Sequence, residues 1–372
     1  LLTRRALLLA PAAAAVVGCS RRRGSGFDGY AFIANEGGQA LAVVDLNTFT
    51  LAHHIPLEAN PTSVLAAGTK PVVYALTPSS GALYEVGTAS LTRPHRIGVA
   101  RTAVSMRSAP DQTAIWVLAR QPRELVRVGL DGFRVESRIA LPLDPVDFDV
   151  SSDGEAAVVS FGDAGSFGLV DLRRRVCRVY SLPHKVSLAR FRSDGRQVLI
   201  AGTSSPVLSI ADAHSGRTVV HLPLAVTARN LCVKSDGGQL FITGDGMDAV
   251  VVVYPYSTEV AETALAGRAP GYMAECASEE SDYLFVANPP SGEVTIVDIE
   301  TRRVIAVVAV GRGPAFITPT PDSQYVLVLN TESGDMAVIR LGAIAAKRDR
   351  SAPLFTMVPV GSRPVGAAVR HT

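Results

Sequence analysis

Across six successive segments of this chain, the residue four places before a turn is Arg107, Asp149, Arg190, Cys232, Cys276 and Thr318. Plus, minus, plus in three consecutive segments reads as a ladder of ion pairs, with Asp147 two residues before Asp149 on the same strand face. Two outcomes are open for Arg107, Asp147, Asp149 and Arg190. They are either a structural network, because an unpaired buried charge is costly, or the wall of a polar pocket. Cys232 and Cys276 stand at equivalent positions of neighbouring segments, where they are either bridged or two buried thiols; a bridge needs Cα atoms within about 7 Å. Cys177 reads as a lone packing residue.

A second set is basic. Loops leading into those strands supply Arg101, His184 with Lys185, Arg268, Arg312 and Arg363, and loops one strand later add Arg120 and Arg123 against Glu36, Asp163, Asp245 and Glu332. If both sets of loops share one face, an excess of positive charge there attracts anions. The plainer reading is a solvated loop position that tolerates arginine. Catalytic motifs are missing: no GxSxG elbow, HExxH pair, P-loop or EF-hand spacing occurs. The seven histidines share no repeat position, and four cysteines show no CxxC spacing. The expectation is therefore no catalytic set, no metal site and no cofactor. Gly24, Gly26 and Gly29 satisfy G-x-G-x-x-G, but no strand precedes them and no helix follows, so a dinucleotide site is rejected.

The elements that must position these residues repeat with a period of about 42. In 283–324, YLFVANPPSGEVTIVDIETRRVIAVVAVGRGPAFITPTPDSQ, apolar runs rich in β-branched residues alternate with Asn-Pro-Pro-Ser-Gly, Asp-Ile-Glu-Thr and Gly-Arg-Gly-Pro turns. These are short strands. The runs are nearly continuous, so both faces should be covered. Four antiparallel strands per unit, buried on both sides and repeated, describe the blade of a β-propeller. First strands begin near Tyr30, Val72, Ala114, Ala156, Val198, Leu240, Tyr283 and Tyr325. The preceding turns carry Asp111, Asp153, Asp194, Asp236 and Asp322, where Asp-Gly suits a tight hairpin with both central residues at positive φ. Second strands should end in the turn aspartates Asp45, Asp131, Asp171, Asp212 and Asp298. Since the array opens on YAFIAN and closes on an inner-type strand, Arg363 to Val369, the tail should complete the first blade and remove a free edge.

YLFVAN, SGEVTIVDIETRRVIAVVAVGRGP and the Pro-Asp-Ser turn resemble the YVTN repeat of bacterial β-propellers, and 30–60 matches almost as well. The resemblance spans nearly everything after residue 29. It implies the propeller fold strongly, and seven blades is the family's commoner number. It implies little about activity, because such proteins are mostly binding and surface proteins, although some propellers of similar look are lactonases or cofactor-dependent oxidoreductases with channel-mouth sites.

Residues 1–19, LLTRRALLLAPAAAAVVGC, read as a signal peptide. Arg4 and Arg5 precede an apolar run, Ala6 to Val17, too short to span a bilayer. Val16-Val17-Gly18-Cys19 looks like a lipobox, with Cys19 the lipidated first residue of the mature chain. An ordinary cleaved signal is the other reading, and the export route, Sec or twin-arginine, stays open. Residues 20–29 form a polar tether. The remainder, 30–372, is one domain despite its length, since a closed ring absorbs it. The insert 345–353 reads as an exposed loop.

These readings combine into an all-β, eight-bladed β-propeller of four-stranded antiparallel blades, with seven as the alternative, closed by the C-terminal strand joining the first blade. A net charge of +2 is too small to argue for nucleic acid. The expected role is an exported, lipid-anchored, monomeric binding or scaffolding module, periplasmic or on the outer membrane. Its partner is an envelope protein, a glycan or a small anion, held by Arg101, Lys185, Arg268, Arg312 and Arg363 at the channel rim. Membrane contact runs through the anchor alone. The alternative is a propeller enzyme using the channel residues Arg107, Asp147, Asp149 and Arg190.

Overall fold

Runs such as YAFIAN, VVYALT and YVLVLN form strands of about six residues because β-branched and aromatic side chains fill a pleated, fully covered surface. The structure, a computed structural model, describes residues 27–91, 94–277, 281–345 and 352–371. Its strands form eight four-stranded antiparallel sheets. Seven are continuous in sequence. In the remaining one, Gly29–Asn35 lies between Ala40–Asp45 and the C-terminal strand Pro364–His371. We call that sheet blade 1, with Pro364–His371 as its inner strand. The inner strands of blades 2 to 8 are Ser63–Leu65, Thr102–Ser108, Asp147–Val150, Val186–Phe191, Thr227–Val233, Met273–Ala277 and Pro314–Pro319. Each inner strand touches the next, from blade 1 round to blade 8 and back. The fold is an eight-bladed β-propeller, not a seven-bladed one, and the tail strand closes it by pairing Tyr30 with Arg370 and Phe32 with Ala368.

Its core is distributed. Eight apolar clusters are present, one at each junction between adjacent blades. Strand periodicity explains this: along Gly29–Asn35, Ala31 and Ile33 pack toward blade 8 while Phe32 and Ala34 pack toward blade 2. Both faces are buried, so the runs read as continuous apolar. The outer strands are the most exposed, as in Thr50–Pro56, where Ile55 alone is buried, and the inner strands are partly open toward the channel.

Two local expectations are corrected. At the aspartate turns only the residue after Asp has positive φ: Gln112, Gly154, Gly195, Gly237 and Ser323. The aspartate itself does not take positive φ, and its carboxylate accepts an N–H two residues on, for example Glu155 N to Asp153 Oδ1 at 2.9 Å. Asp131 does not close its turn either. Gly129, opposite Ala114, holds the place that Asp45 holds opposite Tyr30, so Asp131 falls two residues late and pairs with Lys70 at 3.6 Å instead. Cys19, the signal peptide, most of the tether and residues 346–351 of the insert lie outside the described residues. Among the described residues no helix is long and apolar enough to cross a membrane.

Candidate functional site

The charged positions of blades 3, 4 and 5 meet at the axis, on the adjacent inner strands Thr102–Ser108, Asp147–Val150 and Val186–Phe191. Asp147 is the hub, although the register alone points to Asp149. Its Oδ1 lies 3.5 Å from Nη2 of Arg107, and its Oδ2 accepts from Nη1 of Arg190 and from the Ala189 amide. Asp149 Oδ1 stands 3.7 Å from Nε of Arg107, and Oδ2 accepts from the Phe191 amide at 2.9 Å. Arg107 Nε donates to the Phe148 carbonyl, and its guanidinium lies 5.7 Å from the Phe148 ring centre. All four carboxylate oxygens thus face a donor within 3.7 Å.

The donors are not matched in the same way. Nη1 of Arg107, and Nε and Nη2 of Arg190, have no partner among the described residues. Arg107 keeps 31% of its side-chain surface open, while protein surrounds it on the other sides. Burial, and then the nearby Arg190 charge, lower its pKa, with Asp149 and Asp147 opposing them. Tyr272, just ahead of the inner strand of blade 7, packs its ring 4.8 Å from that of Phe316. Burial first and then Cys232 raise its pKa, and the Arg107 and Arg190 charges pull it back. Repeat alignment misses Tyr272 because it lies eight residues before the turn, outside the position compared.

Loops entering the inner strands and loops between the second and third strands do share one face. Backbone bonds join them to the same blade edges: Glu36 N to Arg363 O at 2.9 Å, Thr203 N to Lys185 O at 3.0 Å, and Glu332 N to Arg312 O at 3.2 Å. Arg101, Lys185, Arg268, Arg312 and Arg363 are all exposed there. Two of them have acidic neighbours: Lys185 with Asp163 at 2.8 Å, and Arg363 with Glu36 at 3.2 Å. Such exposed pairs contribute only about 0–1 kcal/mol. Arg101, Arg268 and Arg312 have no ion-pair partner among the described residues. Of the other rim acids, Asp245 is engaged by Arg229 at 2.6 Å and Asp144 by Arg123 at 3.6 Å, while Glu332 has no ion-pair partner among the described residues.

One grouping was invisible in the sequence. His184, from a rim loop, and His221, from an outer strand, both reach the buried hydroxyl of Ser209, at 3.2 and 2.8 Å. Ser209 and His221 are register partners on neighbouring strands, a pairing that strand alignment could supply; the approach of His184 depends on the loop path. Burial, then the His221 charge, lower the His184 pKa. Among the described residues no three His, Cys, Asp or Glu side chains converge as metal ligands. Cys177, Cys232 and Cys276 are free thiols, so the bridge left open between Cys232 and Cys276 is not made. Burial pushes each thiol up to about 11.

A cleft of about 750 Å³ lies between blades 4 and 5, on the perimeter near the aspartate turns. Arg173, Arg174, Arg178 and Arg196 line it, but so do Asp153, Glu155, Asp171, Asp194 and Asp212. Four arginines against five carboxylates leave no excess of positive charge there to favour an anion.

No family model matches the chain, and no curated protein does. Solved structures do. The chain is similar to the dihydro-heme d1 dehydrogenase NirN in complex with DHE, with a TM-score of 0.71 at 12% identity over 91% of this chain and 74% of that one. It is also similar to apo AztD from Citrobacter koseri, with a TM-score of 0.68 at 12% identity over 92% and 98%. A functionally unknown protein from Desulfotomaculum acetoxidans gives 0.58 at 11% over 92% and 99%. NirN and AztD are eight-bladed propeller proteins. At such low identity the likeness establishes the fold alone.

Proposed function

We propose that this protein is an exported propeller of the YVTN-repeat kind, lipid-anchored through Cys19, whose rim binds an acidic partner. The observation that carries the binding reading is the unmatched charge of Arg101, Arg268 and Arg312 on the face where the entering loops emerge. Exposed guanidinium groups without internal partners are free to take carboxylate or similar groups in two-pronged fashion. Lys185 and Arg363 add charge that exposed pairing only partly offsets. The channel carboxylates support binding over catalysis, since every oxygen already faces a donor. Export and anchoring rest on Arg4, Arg5, the apolar run Ala6 to Val17 and the Val-Val-Gly-Cys sequence ending at Cys19.

One preparation tests both parts. Made with its own leader in a bacterial host, the protein should be recovered from membranes as a chain that starts at a diacylglyceryl cysteine, position 19. Released from detergent, it should capture acidic envelope material in a salt-sensitive way. The Arg101→Ala, Arg268→Ala, Arg312→Ala triple variant should lose that capture by tenfold or more. Unchanged capture would rule the rim out, and a soluble chain cut elsewhere would rule out the anchor.

A further inference from the structure

We propose that Arg107 and Arg190 form a receptor for one small oxyanion inside the channel. The site is separate from the rim arginines and does not depend on the rim reading. Hydrogen-bond accounting carries it. The two carboxylates of the cluster spend acceptor capacity on the backbone amides of Ala189 and Phe191, whereas Nη1 of Arg107 and Nε and Nη2 of Arg190 go unclaimed among the described residues. A guanidinium has five N–H donors and no acceptor, so donors are in excess.

The two cations are also held against one carboxylate, Asp147, close enough for Arg190 to disfavour the charge on Arg107. An anion between them relieves that repulsion and takes the idle donors. Phe148 lies against one side of the Arg107 guanidinium. Arg107 and Arg190 remain 31% and 18% exposed, so the channel reaches them. The ligand chemistry is a carboxylate or a tetrahedral oxyanion, both of which offer paired oxygens to a guanidinium fork.

The test is calorimetric titration of the mature chain with sodium acetate and, separately, with sodium sulfate, chloride holding ionic strength constant. At least one should bind saturably at one site per chain; if sulfate alone binds, the ligand is tetrahedral, and if acetate alone binds, it is a carboxylate. Arg107→Lys should weaken binding tenfold or more, because an ammonium keeps the charge and loses the fork. Asp149→Asn, which removes a competing negative charge, should tighten it severalfold. The rim triple variant should leave it unchanged. Should Arg107→Lys fail to fold, the gain in Asp149→Asn and a matching loss in Arg190→Lys decide the matter. No saturable binding of either anion, no response to these channel substitutions, or loss in the rim triple variant would overturn the proposal.

Discussion

Asp194 joins turn chemistry to stability in one side chain. Arg192 grips its two oxygens at 2.9 and 2.7 Å, and the Arg196 amide donates at 3.0 Å. Arg192 is itself held, over the Tyr256 ring at 4.6 Å and by Gln197 at 2.8 Å. The Arg192 hydrogen bond is the main reason the Asp194 pKa sits below the ordinary carboxylate value. Because the folded value lies below the unfolded one, near 3.9, the stabilisation is complete above that range and is lost as pH falls through the folded pKa. Asp194→Asn should therefore cost about 1–3 kcal/mol at pH 7, and urea denaturation should show the deficit shrinking by pH 3. An equal deficit at both pH values would mean that charge is not the cause. The turn aspartates other than Asp131 were legible in the sequence because each acts on residues two or three places away. Asp147 as hub, and the meeting of His184 with His221, were not. The first depends on how far one strand is offset from its neighbour and the second on the path of the loop that carries His184, and residue spacing encodes neither.

At the scale of elements, the family resemblance has a physical core. Asn330, the last residue of its strand, donates to the Val310 carbonyl at 2.7 Å, and Asn35 donates to Val360 at 2.6 Å. Each amide thereby ties a strand end to the loop arriving from the preceding blade. The glycine of that loop is required by space and by backbone. Gly311 and Gly361 have φ of 134° and 121°, and a Cβ there would stand 2.6 and 2.7 Å from the asparagine Nδ2. Blade 7 repeats the contact, with a Cβ on Gly267 meeting Asn288 at 2.4 Å. The terminal Asn of YVAN-like strands and the Gly of the Gly-x-x-Pro turn are thus one device. Asn330→Ala should cost about 1–3 kcal/mol by leaving a buried carbonyl without its donor, and Gly311→Ala should cost at least as much. Chemical denaturation measures both, and losses within about 0.5 kcal/mol, as for an ordinary surface change, would show that the latch holds nothing. These motif residues could be picked out from sequence, but their contact partners could not, because Asn35 and Val360 are 325 residues apart.

Over the whole molecule, stability is shared among eight like junctions, and the blade that meets blade 8 is completed by the returning tail. Ala367 packs into the cluster between blades 8 and 1, and Ala368 into the one between blades 1 and 2. The rhythm of the repeat made this closure readable, since the array begins on a second-type strand and ends on an inner one. A chain cut after Pro359 should therefore lose two junctions together and expose the ladder edge of Gly29–Asn35. Its urea midpoint should fall sharply, and it should aggregate. The cut alone cannot separate a missing strand from a damaged chain, so a permuted protein is the control. In that protein Arg363 becomes the first residue, and His371 is joined through a short turn to Asp28. The inner strand of blade 1 then precedes its partner, as it does in the other seven blades. If closure depends on the strand and not on the order of the chain, the permuted protein should unfold cooperatively near the native midpoint while the truncated one does not. Equal stability of the truncated and full-length chains would mean the ring does not need its last strand.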